Sequence, residues 1–211
     1  MTGWSRRVVA VLVPTASSTP LLLAALLVVV ACSRAGGPPR RPPLPAGKAE
    51  QGGPDFLPPS AEVDEPAAAA MPPATVVALR AAAHEDFDRV TIELAGGLPG
   101  YRVAWEPARP HHCGSDKAVD AAGAAWLVVR LDPAQAHDAQ GRLTVEHTSE
   151  SPGLPAVEAM ATSCDFEGVV SWVLGSPAHL PFRVLALSDP SRLVVDVAHP
   201  GARVPTTVPT P

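Results

Sequence analysis

The chain has 211 residues and a formal net charge of −5, and its basic residues are arginines apart from Lys48 and Lys117. An acidic balance of this kind argues against nucleic-acid binding, which neutralises phosphates with basic patches. The 26 prolines are densest ahead of Ala74, so that part reads as an extended segment and one folded unit is expected after it.

In chain order, the first feature is Ser5-Arg6-Arg7-Val8-Val9, which fits either a twin-arginine export motif or the positive start of an ordinary signal. Next comes LLLAALLVVVAC, from Leu21 to Cys32. Its run of about eleven apolar residues is too short for a permanent span, which takes about 20. Val29-Val30-Ala31-Cys32 resembles a bacterial lipobox. That resemblance implies a signal over residues 1–31, cleavage before Cys32 and lipidation of its sulfur. Two or more acyl chains, at about 0.8 kcal/mol per buried methylene, anchor a protein stably. The alternatives are an ordinary cleaved signal and an uncleaved apolar anchor broken at PTASSTP.

Residues 32–73 read as a lipidated cysteine followed by a disordered Pro/Gly-rich tether, with GGPPRRPPLPAG and AEVDEPAAAAMPP in it. Such a tether would hold a domain roughly 35 Å from its anchor as a coil and about 125 Å away as polyproline II.

Residues 74–200 form the one candidate domain. Thr75–Ala81 opens it as an apolar strand. Arg89–Leu94 places Val90, Ile92 and Leu94 on one face, and Tyr101–Trp105 alternates again beyond the turn GGLPG. Trp126–Leu131 is a more continuous apolar run, as expected for a central strand. Val157–Thr162 is weaker, Val169–Leu174 and Phe182–Leu187 are strong, and Leu193–Val197 closes the set. Short alternating segments between Gly/Pro turns predict an all-β fold, a single antiparallel β-sandwich. A short helix is expected at LDPAQAHD, with Asp132 as N-cap and Pro133 in the first turn. Ser188-Asp189-Pro190-Ser191 predicts a hairpin turn of type I. Residues 201–211 are expected to fray as a disordered tail.

There are three cysteines. With Cys32 lipidated in an oxidising compartment, Cys113 and Cys164 remain, and they either form a disulfide or stay as two buried thiols. The pairing is the simpler reading. His111-His112-Cys113 is the densest of the metal-type clusters, but adjacent residues rarely supply two ligands to one ion, so it reads as surface loop and no metal or cofactor is expected. Nothing resembles a nucleophile motif. His137-Asp138 and Asp165 with Glu167 are polar pairs without fixed geometry, so no catalytic residue is assigned. Arg89 and Asp196 are expected to meet across a sheet as an ion pair of small worth if exposed. Trp105, Trp126 and Trp172 sit in strands and are expected in or beside the core. The candidate ligand-binding residues are Arg89 and Arg102, as bidentate carboxylate binders, and Trp105.

Three stretches together resemble a known family: HEDFDRVTIEL running into LPGYRVAW, then VRLDPAQAHDAQGRLT, then DFEGVVSWVLG followed by FRVLALSDPSRLVVDVAH. They are similar to the AMIN-like domain of bacterial envelope lipoproteins, related to the AMIN domain of N-acetylmuramoyl-L-alanine amidases and pilus secretins. The resemblance covers nearly all of residues 74–200, and the closing hairpin is its most specific part. It implies a small β-sandwich that positions envelope components by contact with peptidoglycan or an envelope protein, with no catalytic residues. His111-His112-Cys113 and Ser163-Cys164 depart from the pattern. The expectation is therefore a lipid-anchored binding module on the outer face of a cell membrane, not an enzyme. The alternative is an accessory lipoprotein with a purely protein partner and no glycan affinity.

Overall fold

The structure, a computed structural model, describes residues 54–145 and 150–207. The signal, Cys32 and the first part of the expected tether lie outside the described residues.

Among the described residues, ten strands form two five-stranded sheets. The first sheet has the order β1 (Glu62–Glu65), β4 (Gly100–Glu106), β5 (Ala125–Asp132), β8 (Val169–Ser176), β7 (Ala159–Phe166). The second has the order β6 (Ala134–Gln135), β2 (Ala74–Ala83), β3 (Phe87–Ala95), β10 (Arg192–Ala198), β9 (Phe182–Leu187). Neighbours are antiparallel except β2 and β6, which are parallel. The expected all-β sandwich is what the chain forms, and all eight predicted strands are present.

Alternation explains the core. Val90, Ile92 and Leu94 of β3 face inward with Leu193, Val195 and Val197 of β10. From the first sheet they meet Val103, Leu127, Val129, Leu131, Val170, Trp172 and Leu174. β5 lies between β4 and β8, which is why its sequence is apolar on both faces. Its outward Trp126 and Val128 are covered by a second cluster of Val119, Ala121, Ala159, Ala161 and Val173. Val119 and Ala121 are brought to that cluster by the 107–124 segment, which the Cys113–Cys164 disulfide fastens to β7, with Cα atoms 5.2 Å apart. The weak β7 signal has the same origin, since both faces of the strand are buried and a bulge beside Ser163 shifts its phase.

Two glycines are required by this packing. Between β7 and β8, Glu167 and Gly168 have φ of 50° and 80°, the two-residue turn that suits a right-twisted hairpin. On β8, a Cβ at Gly175 would collide with the carbonyl of Ala122, so the 107–124 segment lies directly on the strand only because no side chain is there.

Four expectations are corrected. LDPAQAHD is not helical: the Ala134 amide donates to the Gly168 carbonyl and the Ala74 amide to the Pro133 carbonyl, so the segment pairs as β6. The closing hairpin is present, but its turn has Asp189 at φ 56° and a cis Asp189–Pro190 bond in place of a type I turn. The tether does not continue to residue 73, because β1 pairs with the edge of β4 and inserts Val63 against the core. That pairing uses backbone groups, which no hydrophobic pattern announces. Nor do residues 201–207 fray: the Phe56 amide donates to the Pro205 carbonyl and the Thr207 amide to the Phe56 carbonyl.

Candidate functional site

The clearest charged arrangement lies on the outer face of the second sheet. In β10, Leu193, Val195 and Val197 point inward, so Asp196 points out. The register places Asp196 opposite Arg89 on β3 and opposite Arg183 on β9. Arg89 Nε and Nη2 donate to the two Asp196 oxygens at 2.7 and 2.9 Å, and Arg183 Nε donates to Oδ2 at 2.8 Å. Asp196 is 0% exposed, whereas the two arginine side chains are 22% and 14% exposed. The pair expected between Arg89 and Asp196 therefore exists, but it is buried, so the condition under which its worth would be small is not met. It is also a trio, with two guanidinium groups on one carboxylate.

Aromatic rings enclose it. The Arg183 guanidinium lies 4.7 Å from the Phe56 ring centre and 5.0 Å from that of Phe87, and Arg89 lies 5.4 Å from Phe87. His84 stacks on Phe87 with centroids 4.6 Å apart. Phe56 arrives from the N-terminal side by pairing at the sheet edge. Leu57 exchanges hydrogen bonds with Phe182 and packs on the core, so its neighbour Phe56 turns to the outer face. A pocket of about 430 Å³ opens here, lined by Phe56, His84, Glu85, Asp86, Phe87, Arg183, Arg203, Val204 and Pro205.

Burial, then repulsion from Arg89, holds the His84 imidazole below its ordinary value of 6.5; Asp196 opposes this and Arg183 adds to it. A histidine with a depressed folded value favours the neutral folded state. Its contribution is full above the unfolded value and is lost as pH falls below about 6.5. His84→Gln should accordingly lose less melting temperature than the parent between about pH 7.5 and 5.5. Equal pH dependence of the two proteins would show that His84 does not feel this environment.

The other sequence candidates do not converge here. Arg102 lies on the outer face of the first sheet, with Nε and Nη2 on Glu62 and Nη1 on Glu106. The hydrogen bond that Arg102 donates to Glu62, with a further contribution from Glu106, raises the Arg102 value. Its fork is thus engaged by two carboxylates of the chain itself. Trp105 is on the opposite face of β4. Its Nε1 donates to the Leu180 carbonyl at 3.1 Å and its ring lies beside His179. Trp126 lies under Arg109, and Trp172 is buried. His111 bridges Ala118 and the His112 amide donates to Lys117, both within the cystine-anchored loop. The grouping of His137 with Asp138 and of Asp165 with Glu167 is corrected: His137 Nδ1 lies 3.0 Å from Asp165 Oδ2, while Asp138 caps its own turn through the Gln140 and Arg142 amides.

A second buried carboxylate, Asp88, accepts from the Ala156 and Val157 amides and from His199 Nε2. It ties the 150–158 segment and the end of β10 to β3, and its partners are mainly backbone, which reads as a structural brace.

A two-sheet sandwich with a charged and aromatic pocket assembled from its chain ends is the architecture of a small binding module. A family model described as the AMIN-like domain matches residues 74–199, and the chain belongs to that family. AMIN-like domains are non-catalytic binding modules, and membership suggests an envelope role related to peptidoglycan. Neither the curated proteins nor the solved structures compared with the chain gave a match. The family match begins at Ala74, so Phe56 and β1 lie ahead of it, as Arg203 lies beyond it. Sequence reading missed Arg183, Phe56 and Arg203. Arg183 was recoverable: a four-residue loop over residues 188–191 pairs Leu187 with Arg192, and counting back places Arg183 opposite Asp196.

Proposed function

We propose that the protein is a lipid-anchored binding module of the extracytoplasmic face of the cell membrane, which contacts peptidoglycan and helps localise envelope components. The observation that carries this reading is the match of the AMIN-like family model over nearly the whole sandwich. The sequence ahead of it adds support, because an apolar run ending at Cys32 precedes a proline-rich stretch rather than a second domain.

Two experiments test the two halves. Cys32→Ala should move the protein from the membrane to the soluble fraction, with loss of processing on gels; unchanged membrane retention and processing would refute the anchor. The full chain, solubilised in detergent, should co-sediment with insoluble peptidoglycan and remain bound at moderate salt. Failure to pellet would leave the protein-partner alternative, to be pursued by crosslinking in intact cells.

A further inference from the structure

We infer that the pocket between Phe56, Phe87 and Arg203 binds the free carboxylate end of a short peptide that also carries an amine. The inference rests on the wall-binding reading and specifies which part of the wall this site would hold: peptide rather than sugar. The argument has three parts.

The aromatic rings here are already occupied. Phe87 carries His84 stacked at 4.6 Å and the guanidinium groups of Arg89 and Arg183 within 5.4 Å, and Phe56 lies 6.0 Å from it. Sugar binding by stacking needs an open ring face, and Phe87 offers none. The rings serve instead to fix and desolvate the cations, which strengthens a cation's hold on a carboxylate.

Arg183 and Arg203 keep guanidinium donors beyond those taken up by partners among the described residues. Asp196 supplies one negative charge to two arginines. Arg183 uses Nε on Asp196 and Nη1 on the Pro54 carbonyl, and its Nη2 has no acceptor among the described residues. Arg203 lines the same pocket, is exposed, and has no ion-pair partner among the described residues. Two guanidinium groups therefore border one cavity with donors to offer.

Finally, the pocket is amphoteric. Glu85 and Asp86 line it together with Arg183 and Arg203, while Phe56, Val204 and Pro205 supply apolar wall. A simple anion such as phosphate would meet two carboxylates as well as two cations. A peptide end bearing both charges, with small apolar side chains between them, satisfies the acids, the cations and the wall at once. A volume of about 430 Å³ admits two or three small residues.

The test uses the solubilised full chain and synthetic acetyl-Lys-Ala-Ala, followed by calorimetry or by amide shifts. The acid should bind, and its C-terminal amide should bind about tenfold or more weakly. Arg203→Gln, at an exposed position, should weaken the acid by about tenfold and the amide far less. Acetylating the lysine amine should also weaken binding. Equal binding of acid and amide, no effect of Arg203→Gln, or displacement by inorganic phosphate as effective as by the peptide would each overturn the assignment. Sedimentation with peptidoglycan that is unchanged in Arg203→Gln would overturn this pocket's role and leave wall binding standing. Loss of sedimentation in the parent protein would instead remove the wall-binding reading itself.

Discussion

Asp196→Asn is expected to cost about 3–5 kcal/mol of folding stability, because it removes the buried carboxylate shared by two largely buried cations. The domain has about 5–15 kcal/mol in total, so the variant should be marginal and its denaturation midpoint should drop steeply. A pair in the same sheet whose carboxylate is not fully buried gives the contrast. Arg80 and Glu93 also meet bidentately, but their side chains are 40% and 19% exposed. Glu93→Gln should cost about 0–1 kcal/mol. Burial, not hydrogen-bond count, makes the difference: water screens the Arg80–Glu93 pair and cannot reach Asp196. Adding Arg183→Met to Asp196→Asn should return part of the loss, since one uncompensated charge is removed and the apolar chain still packs between Phe56 and Phe87. If Asp196→Asn and Glu93→Gln cost the same by urea denaturation, the trio contributes no more than a surface pair.

The sandwich was legible because its strands bury one face each, so alternation writes Val90, Ile92 and Leu94 into the sequence as a period of two. Elements held by backbone pairing left no such trace. β1 is Glu-Val-Asp-Glu, with one core residue in four, and β6 is two residues that follow an Asp-Pro pair resembling a helix start. The domain limits were misread for the same reason. A proline-rich stretch has few apolar residues, yet Phe56, which is buried, and Leu57, which is partly buried against the core, help to fasten it together with their backbone pairing. The candidate site was half legible. Arg89 and Asp196 stand out as charges inside apolar strands, which already implies that they meet. Arg203 and Phe56 lie outside the strand pattern, and only the pairing of the two chain ends brings them to the pocket. Arg102 carried the same sequence signal as Arg89, a lone arginine in an alternating strand. What separates them is Glu62, from the strand the sequence did not reveal.

Removal of the disulfide in Cys113→Ser/Cys164→Ser is the second large expected effect. The bond closes a separation of 51 residues, and on the chain-entropy model the open chain gains freedom worth about 4 kcal/mol. Both cysteines are replaced so that no free thiol remains to react. Two mechanisms could deliver such a loss, and the structure says how to tell them apart. In the first, the folded state is unchanged and the unfolded chain is merely freer. The Cys113 amide would still donate to the Ser163 carbonyl, Val119 and Ala121 would still cover β7 and β8, and Trp126 would still lie under Arg109. In the second, the 107–124 segment lifts off, exposing Ala159, Ala161 and Val173. The local contacts favour the first. The segment is also held by the Ala124 amide, which donates to the Ser176 carbonyl at the end of β8, and by its fit over Gly175. The expected result is therefore a fall of about 4 kcal/mol in global stability by urea denaturation, with amide exchange at Val119 and Ala121 still slow relative to exposed loops. Fast exchange confined to residues 107–124 would mean that the cystine holds the outer layer in place. A loss under about 1 kcal/mol would mean that the unfolded chain is already constrained without it.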